Sequence, residues 1–356
     1  MQYIKLGHSG LEVSPLCIGC MGFGDPSRGH PAWSLDEEAS RKVIWRALEV
    51  GINFFDTANL YSGGNSEEVI GRALKDFISR ESVVIATKLS APMRNGPNAI
   101  GLSRKAIMTE VDYSLKRLGT DYIDLYQIHR HDQLTPWEET LEALHDLVKV
   151  GKVRYLGASS MKAWEFGKAL HLQKQNGWTR FISMQHNYNL LNREEELEMI
   201  PLCVEEGVQT MIYSPLARGR LARAWGEETT RTQKEPEGAR QDPATEQSDH
   251  QIVNAVASIA SERGASQAEI ALAWLRRNPV VAAPIVGVLK AKHIDDAVAA
   301  LEIMLTDEEV QRLQKPYTPR RDYQGVSDPA LLAKAAEQAS GFKKSVPDLK
   351  SQPQAI

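Results

Sequence analysis

The feature that most restricts the fold is a rhythm. Eight short apolar runs recur in order, "PLCIG", "INFFD", "VVIATK", "YIDLYQIH", "VRYLGAS", "FISMQ", "VQTMIYS" and "AAPIVG", each rich in residues that favour strands. Between them lie longer stretches such as "DEEASRKVIWRALEV", "SRKAIMTEVDYSLKRLG" and "PWEETLEALHDLVKVG", whose apolar residues return at every third or fourth position, the spacing of one helix face. Asp36 and Ser103 stand where a helix start needs a cap, and Gly51, Gly119, Gly151 and Gly207 follow last turns. Strands that alternate with helices lie parallel, because parallel neighbours need a long crossover. The economical closure is an α/β fold, a (β/α)8 TIM barrel; an open doubly wound sheet is the alternative.

Three segments stand outside the rhythm. The opening "QYIKLGHSGLEVSPLCIG" alternates around a glycine-containing turn and predicts an N-terminal β-hairpin. Residues 218–250 form a long polar loop after strand 7, where a lid is expected. Beyond Pro316 the chain is polar and proline-interrupted, with one short helical stretch, "PALLAKAAEQA". The expected organisation is a barrel domain over 1–316 and a polar C-terminal extension over 317–356.

Composition narrows the function classes. With 42% hydrophobic and 25% charged residues in 356, a large core is available and disorder is excluded. The formal net charge of −4 and the lack of a basic block give no electrostatic case for nucleic acid or for a membrane surface. Partners are therefore expected to be small molecules, and the chain a monomer or weak homo-oligomer. The start has no basic region followed by a long apolar stretch, so the expected location is cytoplasmic. Cys17 and Cys20 have the spacing of a redox or metal pair, but they sit in an apolar run ending in glycines rather than at a helix start. They and Cys203 read as small core or rim residues.

In barrels of this kind, function is built on the loops at the C-terminal ends of the strands. Asp56 ends the second run, Lys88 the third and His129 the fourth, while Tyr61 lies in the loop after the second. Neighbouring strands are about 4.8 Å apart, so these side chains can converge. A phenol is a reluctant donor at neutral pH, and a nearby ammonium favours its anion; at about 4 Å and a dielectric of about 20 the attraction is about 4 kcal/mol. The expectation is a lowered Tyr61 pKa, with Asp56 keeping Lys88 charged and His129 orienting a carbonyl. Such a set is a general acid for an oxygen gaining negative charge, and it needs a hydride source.

The motifs "INFFDTANLYSGGNSEEVIG", "VVIATK", "SLKRLGTDYIDLYQIHR", "GKVRYLGASS", "SMQHNYNLLNRE" and "YSPLARGRL" resemble, in order, those of the aldo-keto reductase superfamily over roughly residues 1–316. The resemblance is nearest to a bacterial branch of sugar-, sugar-phosphate- and aldehyde-type reductases. It implies an NADPH-dependent oxidoreductase that reduces an aldehyde or ketone reversibly, with Asp56, Tyr61, Lys88 and His129 as the catalytic set. It further implies that Ser159, Ser160 and Gln185 hold the nicotinamide carboxamide, that Tyr213 stacks on its ring, and that Cys20 and Met21 line its pocket. Ser214, Pro215, Leu216, Ala217, Arg218, Gly219 and Arg220 would follow the pyrophosphate. Gly287, Leu289, Lys290, His293, Asp296 and Ala297 fall in the adenosine-phosphate segment, where the chain departs from the family's usual Ser, Thr or Arg at 289, Gln or Arg at 293, and Glu then Asn at 296 and 297. Lys290, Lys292 and His293 keep positive charge there, which favours NADPH, with NADH possible. The family has no need of G-x-G-x-x-G, so "GCMGFG" reads as turn glycine.

Other readings compete. His129, His131 and His186 suggest a metal-dependent barrel hydrolase. Lys88 alone suggests a Schiff-base aldolase. A non-catalytic nicotinamide-binding accessory or sensor subunit is the third, but the potassium-channel relatives carry Asn at the position of His129. The substrate walls are expected from loops 24–34 and 90–101, the lid and the tail, with Trp33 facing substrate and Arg94, Arg130 and His131 available to an anionic or hydroxyl-rich compound.

Overall fold

The computed structural model describes residues 1–28, 31–234 and 244–320. The N-terminal hairpin forms as expected, β1 (Ile4–Lys5) pairing antiparallel with β2 (Glu12–Val13). All eight runs become strands: β3 (Cys17–Gly19), β4 (Phe54–Asp56), β5 (Val84–Leu89), β6 (Ile123–Ile128), β7 (Val153–Ser159), β8 (Phe181–Asn187), β9 (Gln209–Tyr213) and β10 (Val281–Gly287). They pair in parallel and in chain order, and β10 closes onto β3, so the sheet is a barrel rather than an open doubly wound sheet.

Helices α1 (Glu37–Glu49), α2 (Asn65–Phe77), α3 (Arg104–Leu118), α4 (Trp137–Lys149), α5 (Ala163–Asn176) and α6 (Met199–Glu205) follow β3 to β8 in turn. The caps are those the sequence offers. The Asp36 carboxylate accepts from the Ala39 amide at 2.8 Å and Ser103 Oγ from the Ala106 amide at 3.2 Å. Each such cap contributes about 1 kcal/mol. No helix among the described residues is long and apolar enough to cross a membrane.

Successive residues of a strand face opposite sides. Phe55, Ile85, Tyr126 and Ile128 point outward into the large core under the helices, whereas Phe54, Val84 and Leu125 point inward. Leu6 and Val13 of the hairpin join that inner cluster, and the Gly7 amide donates to Gln209 Oε1 at 2.8 Å. The hairpin therefore plugs the end where the strands begin. The opposite end, where they finish, stays open.

The long connection after β9 runs through a short helical turn, Ala217–Ala222, and a helix, Thr230–Lys234, before residues 235–243, which lie outside the described set. Lys234 Nζ donates to the Ala32 carbonyl at 3.1 Å, so this connection reaches across to the loop after β3, as a lid would. At the far end, Arg320 pairs with Asp249 at 2.5 Å and donates to the Leu191 carbonyl, and the Arg193 amide donates to Tyr317 Oη at 3.0 Å. The first residues of the extension thus dock against the rim; "PALLAKAAEQA" lies outside the described residues.

Candidate active site

Asp56 is the inward-facing residue two places after Phe54, and Lys88 stands in the same relation to Ala86 and Val84. Both are buried, and Lys88 is fully enclosed. Lys88 Nζ pairs with Asp56 Oδ2 and donates to the Thr57 carbonyl at 2.9 Å. The chain then turns sharply: Ser62, Gly63 and Gly64 all have positive φ, and a Cβ on Gly63 would lie 2.8 Å from the Arg28 carbonyl oxygen. This reversal returns Tyr61 over the barrel end, where Lys88 Nζ is 5.3 Å from its ring centre. His129 meets the Tyr61 ring edge-on at 6.0 Å between centres. Four residues from three strand ends thus converge as expected.

Their electrostatics depart from expectation at one point. Burial pushes the Tyr61 hydroxyl above the ordinary phenol value; Lys88 pulls the other way, and Asp56 adds to the rise. The net direction is up, not down, because losing water costs the phenolate more than one ammonium, itself offset in part by Asp56, returns. Lys88 is the reverse case. Burial disfavours its ammonium, but Asp56 and Tyr61 outweigh that and hold its pKa above the ordinary lysine value. Burial, then Lys88 and Arg130, drive His129 well below the usual imidazole range, so it is neutral at pH 7 and offers a hydrogen bond rather than a charge. A neutral phenol, a fixed cation and a neutral imidazole around one point stabilise charge that appears on an oxygen placed there.

The point opens into a cavity of about 1600 Å³ that runs from Tyr61 and His129 along the strand ends. Ser159, Ser160, Gln185 and Tyr213 line it, as do Met21, Ser214, Pro215, Leu216, Arg218 and Gly219, then Gly287, Leu289, Lys290, His293 and Asp296. Ser160, Ser214 and Arg218 hold positive φ, the kind of strained backbone that collects at binding loops. The volume and the order of donors along the strand ends suit an extended dinucleotide: amide and hydroxyl groups first, then a loop, then lysines.

Comparison with known proteins decides the family. The aldo/keto reductase family matches residues 15–317. The chain belongs to the aldo/keto reductase family. A versiconal hemiacetal acetate reductase of Aspergillus parasiticus is 44% identical over 91% of this chain and 99% of its own length. An aldo-keto reductase of Alternaria alternata is 42% identical over 88% of this chain and 91% of its own. One from Metarhizium robertsii is 41% identical over 90% and 92%. The chain is an oxidoreductase for carbonyl compounds, of a family that uses a nicotinamide cofactor. These relatives are fungal, so the expected affinity with a bacterial sugar-reductase branch reduces to membership of the family.

Several residues of this reductase lie elsewhere than the sequence suggested. Cys20 is buried beside the cavity without lining it, its thiol directed to the Ile18 carbonyl at 3.4 Å; burial, with Asp56, raises both Cys17 and Cys20 well above the ordinary thiol value, so neither is a reactive thiolate. Ala217 and Ala297 are buried behind the wall, and Arg220 turns to Asp249 at 3.3 Å. No residue of 90–101 lines the cavity: Arg94 pairs with Glu110 and donates to the Asn98 carbonyl. His131 stacks on Trp137 at 4.4 Å and pairs with Glu165 at 3.1 Å, whereas Arg130 lines the cavity. Sequence reasoning missed Lys162, Trp164 and Glu198, which line the mouth from the starts of α5 and α6. It also missed Gln127 of β6, which reads as an ordinary strand residue.

Among the described residues no three His, Cys, Asp or Glu side chains form a metal-binding group. His186 is buried among core residues, its Nε2 without a partner in the described residues, and burial lowers its pKa to about 4. Its neutral form is built into the fold while the unfolded chain takes a proton near pH 6.5. The associated stability is complete above pH 6.5 and lost as pH falls toward 4, about 3 kcal/mol in all. Urea unfolding between pH 7.5 and 4.5 is expected to show a shallower decline in His186→Gln than in the wild type; equal slopes would refute the assignment.

Proposed function

We propose that this reductase uses NADPH in preference to NADH and that Tyr61 gives the proton to the carbonyl oxygen of an aldehyde or ketone. What carries the reading is the meeting of Tyr61, Asp56 and His129 at the cavity wall, with Lys88 enclosed directly behind them. The nicotinamide, when bound, supplies the hydride. His129, neutral, donates a hydrogen bond to the carbonyl oxygen and orients it. Tyr61 donates its proton as negative charge develops there, and Lys88 stabilises the phenolate left behind until solvent restores the proton. Ser159, Ser160 and Gln185 are suited to the carboxamide, Tyr213 to the ring, and the segment from Ser214 to Gly219 to the pyrophosphate.

At the other end, Lys290 and Lys292 supply positive charge for a 2′-phosphate. Lys292 shares its charge with Asp296 at 2.6 Å, and burial and then Lys290 hold His293 below its ordinary value, so His293 contributes a ring nitrogen and Lys290 the charge. Lys290→Ala is expected to lower kcat/KM with NADPH by about tenfold while leaving NADH unchanged. The cavity lining includes Met21, Trp33 and Trp164, and with Arg94 and His131 engaged elsewhere it favours an apolar or aromatic carbonyl over a sugar phosphate, for which Arg130 and Lys162 are the lining cations on this side. The name of the Aspergillus relative makes hemiacetals, which are masked aldehydes, a first class to screen. Nicotinamide absorbance with NADPH and NADH against aldehydes, ketones, hemiacetals and sugar phosphates tests the reading. No turnover with any of them would overturn it in favour of an accessory protein.

A further inference from the structure

Interior side chains of a barrel stack in layers, each layer drawn from alternate strands and usually filled with Val, Ile and Leu. The uppermost layer here breaks that pattern. Asp56 of β4, Gln127 of β6 and Gln185 of β8 meet on the barrel axis, all three buried and Gln127 with no exposure. Gln127 Nε2 and Gln185 Nε2 each donate to Asp56 Oδ1 at 2.9 Å, and Gln185 Nε2 also lies 3.3 Å from Gln127 Oε1. The other carboxylate oxygen, Oδ2, holds Lys88. Between them β7 contributes Gly157, and there the lack of a side chain matters: a Cβ would lie 2.9 Å from Gln127 Cγ and 2.7 Å from Ser183 Oγ. Gly157 is thus the gap through which Gln127 reaches across the barrel.

A wholly apolar layer would serve stability as well or better, and a buried amide is called for here only by the Asp56 carboxylate that it satisfies. Its use is electrostatic. Two amide donors on Oδ1 draw carboxylate charge away from Oδ2, so Asp56 orients the Lys88 ammonium without cancelling its field at Tyr61. We propose that Gln127 is a positioning residue for proton transfer, setting through Asp56 how much of the Lys88 charge Tyr61 feels, and that Gly157 exists to admit it. The proposal rests on Tyr61 being the proton donor.

The sign is fixed by this geometry. With one donor gone, Asp56 weighs more heavily on Lys88, and the Tyr61 phenolate becomes harder to form. In alcohol oxidation, which needs that phenolate, the rising limb of kcat against pH is expected to move up by about one unit in Gln127→Met, with kcat at pH 7 about tenfold lower and KM for NADP within about twofold of wild type. Gly157→Ala, which keeps every hydrogen-bonding group but displaces Gln127, is expected to shift the limb in the same direction. A residue that merely fills space would lower kcat or thermal stability and leave the limb where it was. Wild type and Tyr61→Phe are measured alongside. A wild type whose limb does not depend on Tyr61 removes the underlying reading; a Tyr61-dependent limb unmoved in both folded variants, or in whichever of them folds, overturns the role of Gln127 alone.

Discussion

Tyr61→Phe is expected to lower kcat for carbonyl reduction by about 10² to 10⁴-fold while NADPH binding is retained. The hydroxyl is the group here suited to give up a proton, because His129, held neutral, carries no imidazolium proton to give and Lys88 is engaged with Asp56 and Thr57. Removing one oxygen leaves the ring, and so its edge-on contact with His129 at 6.0 Å, in place. The loss therefore falls on proton transfer rather than on the shape of the site. Because burial raises the Tyr61 pKa, the phenol stays protonated through neutral pH, so reduction in the wild type is expected to hold its rate as pH rises past 8 and to fall only in strongly alkaline solution. Stopped-flow loss of nicotinamide absorbance measures the rate, and fluorescence titration measures binding. Activity of the variant within about threefold of wild type would show that another group supplies the proton.

The second large effect joins chemistry to stability. Lys88→Met removes the cation beside Tyr61 and leaves Asp56 buried with two amide donors but no counter-charge. Losing one partner of a buried pair costs about 3 to 5 kcal/mol, whereas replacing both with neutral groups of similar size is often tolerated. Lys88→Met alone is therefore expected to be inactive and strongly destabilised in urea. Lys88→Met with Asp56→Asn is expected to regain much of the stability and none of the activity. Recovery of turnover in the double variant would mean that the charge beside Tyr61 plays no part; failure to regain stability would mean that the pair is held by its surroundings rather than by its charges.

The fold was legible because every run and every cap follows from nearest neighbours along the chain. Asp36 and Ser103 cap the helices they precede, and the hairpin forms where the alternation breaks at its turn. The convergence of Asp56, Tyr61, Lys88 and His129 was legible too, since closing a parallel barrel brings successive strand ends together. Gln127 was hidden because a polar residue inside a strand gives no hint of which partner lies across the barrel. Trp164 was hidden because a first helical turn reads the same whether it faces solvent or a cavity. The misplacement of Arg94 and His131 has the same root. Their partners, Glu110 and Glu165, are distant in sequence and carry no local signal.

The sequence by itself determined the order of elements, their parallel closure and the identity of the groups at the open end, because periodicity and punctuation are local properties. Only the tertiary structure decided the balance among those groups. Whether the Tyr61 pKa rises or falls depends on how much water the closed barrel leaves and on which charges face the phenol across it, and both are sums over residues that the chain brings together only on folding.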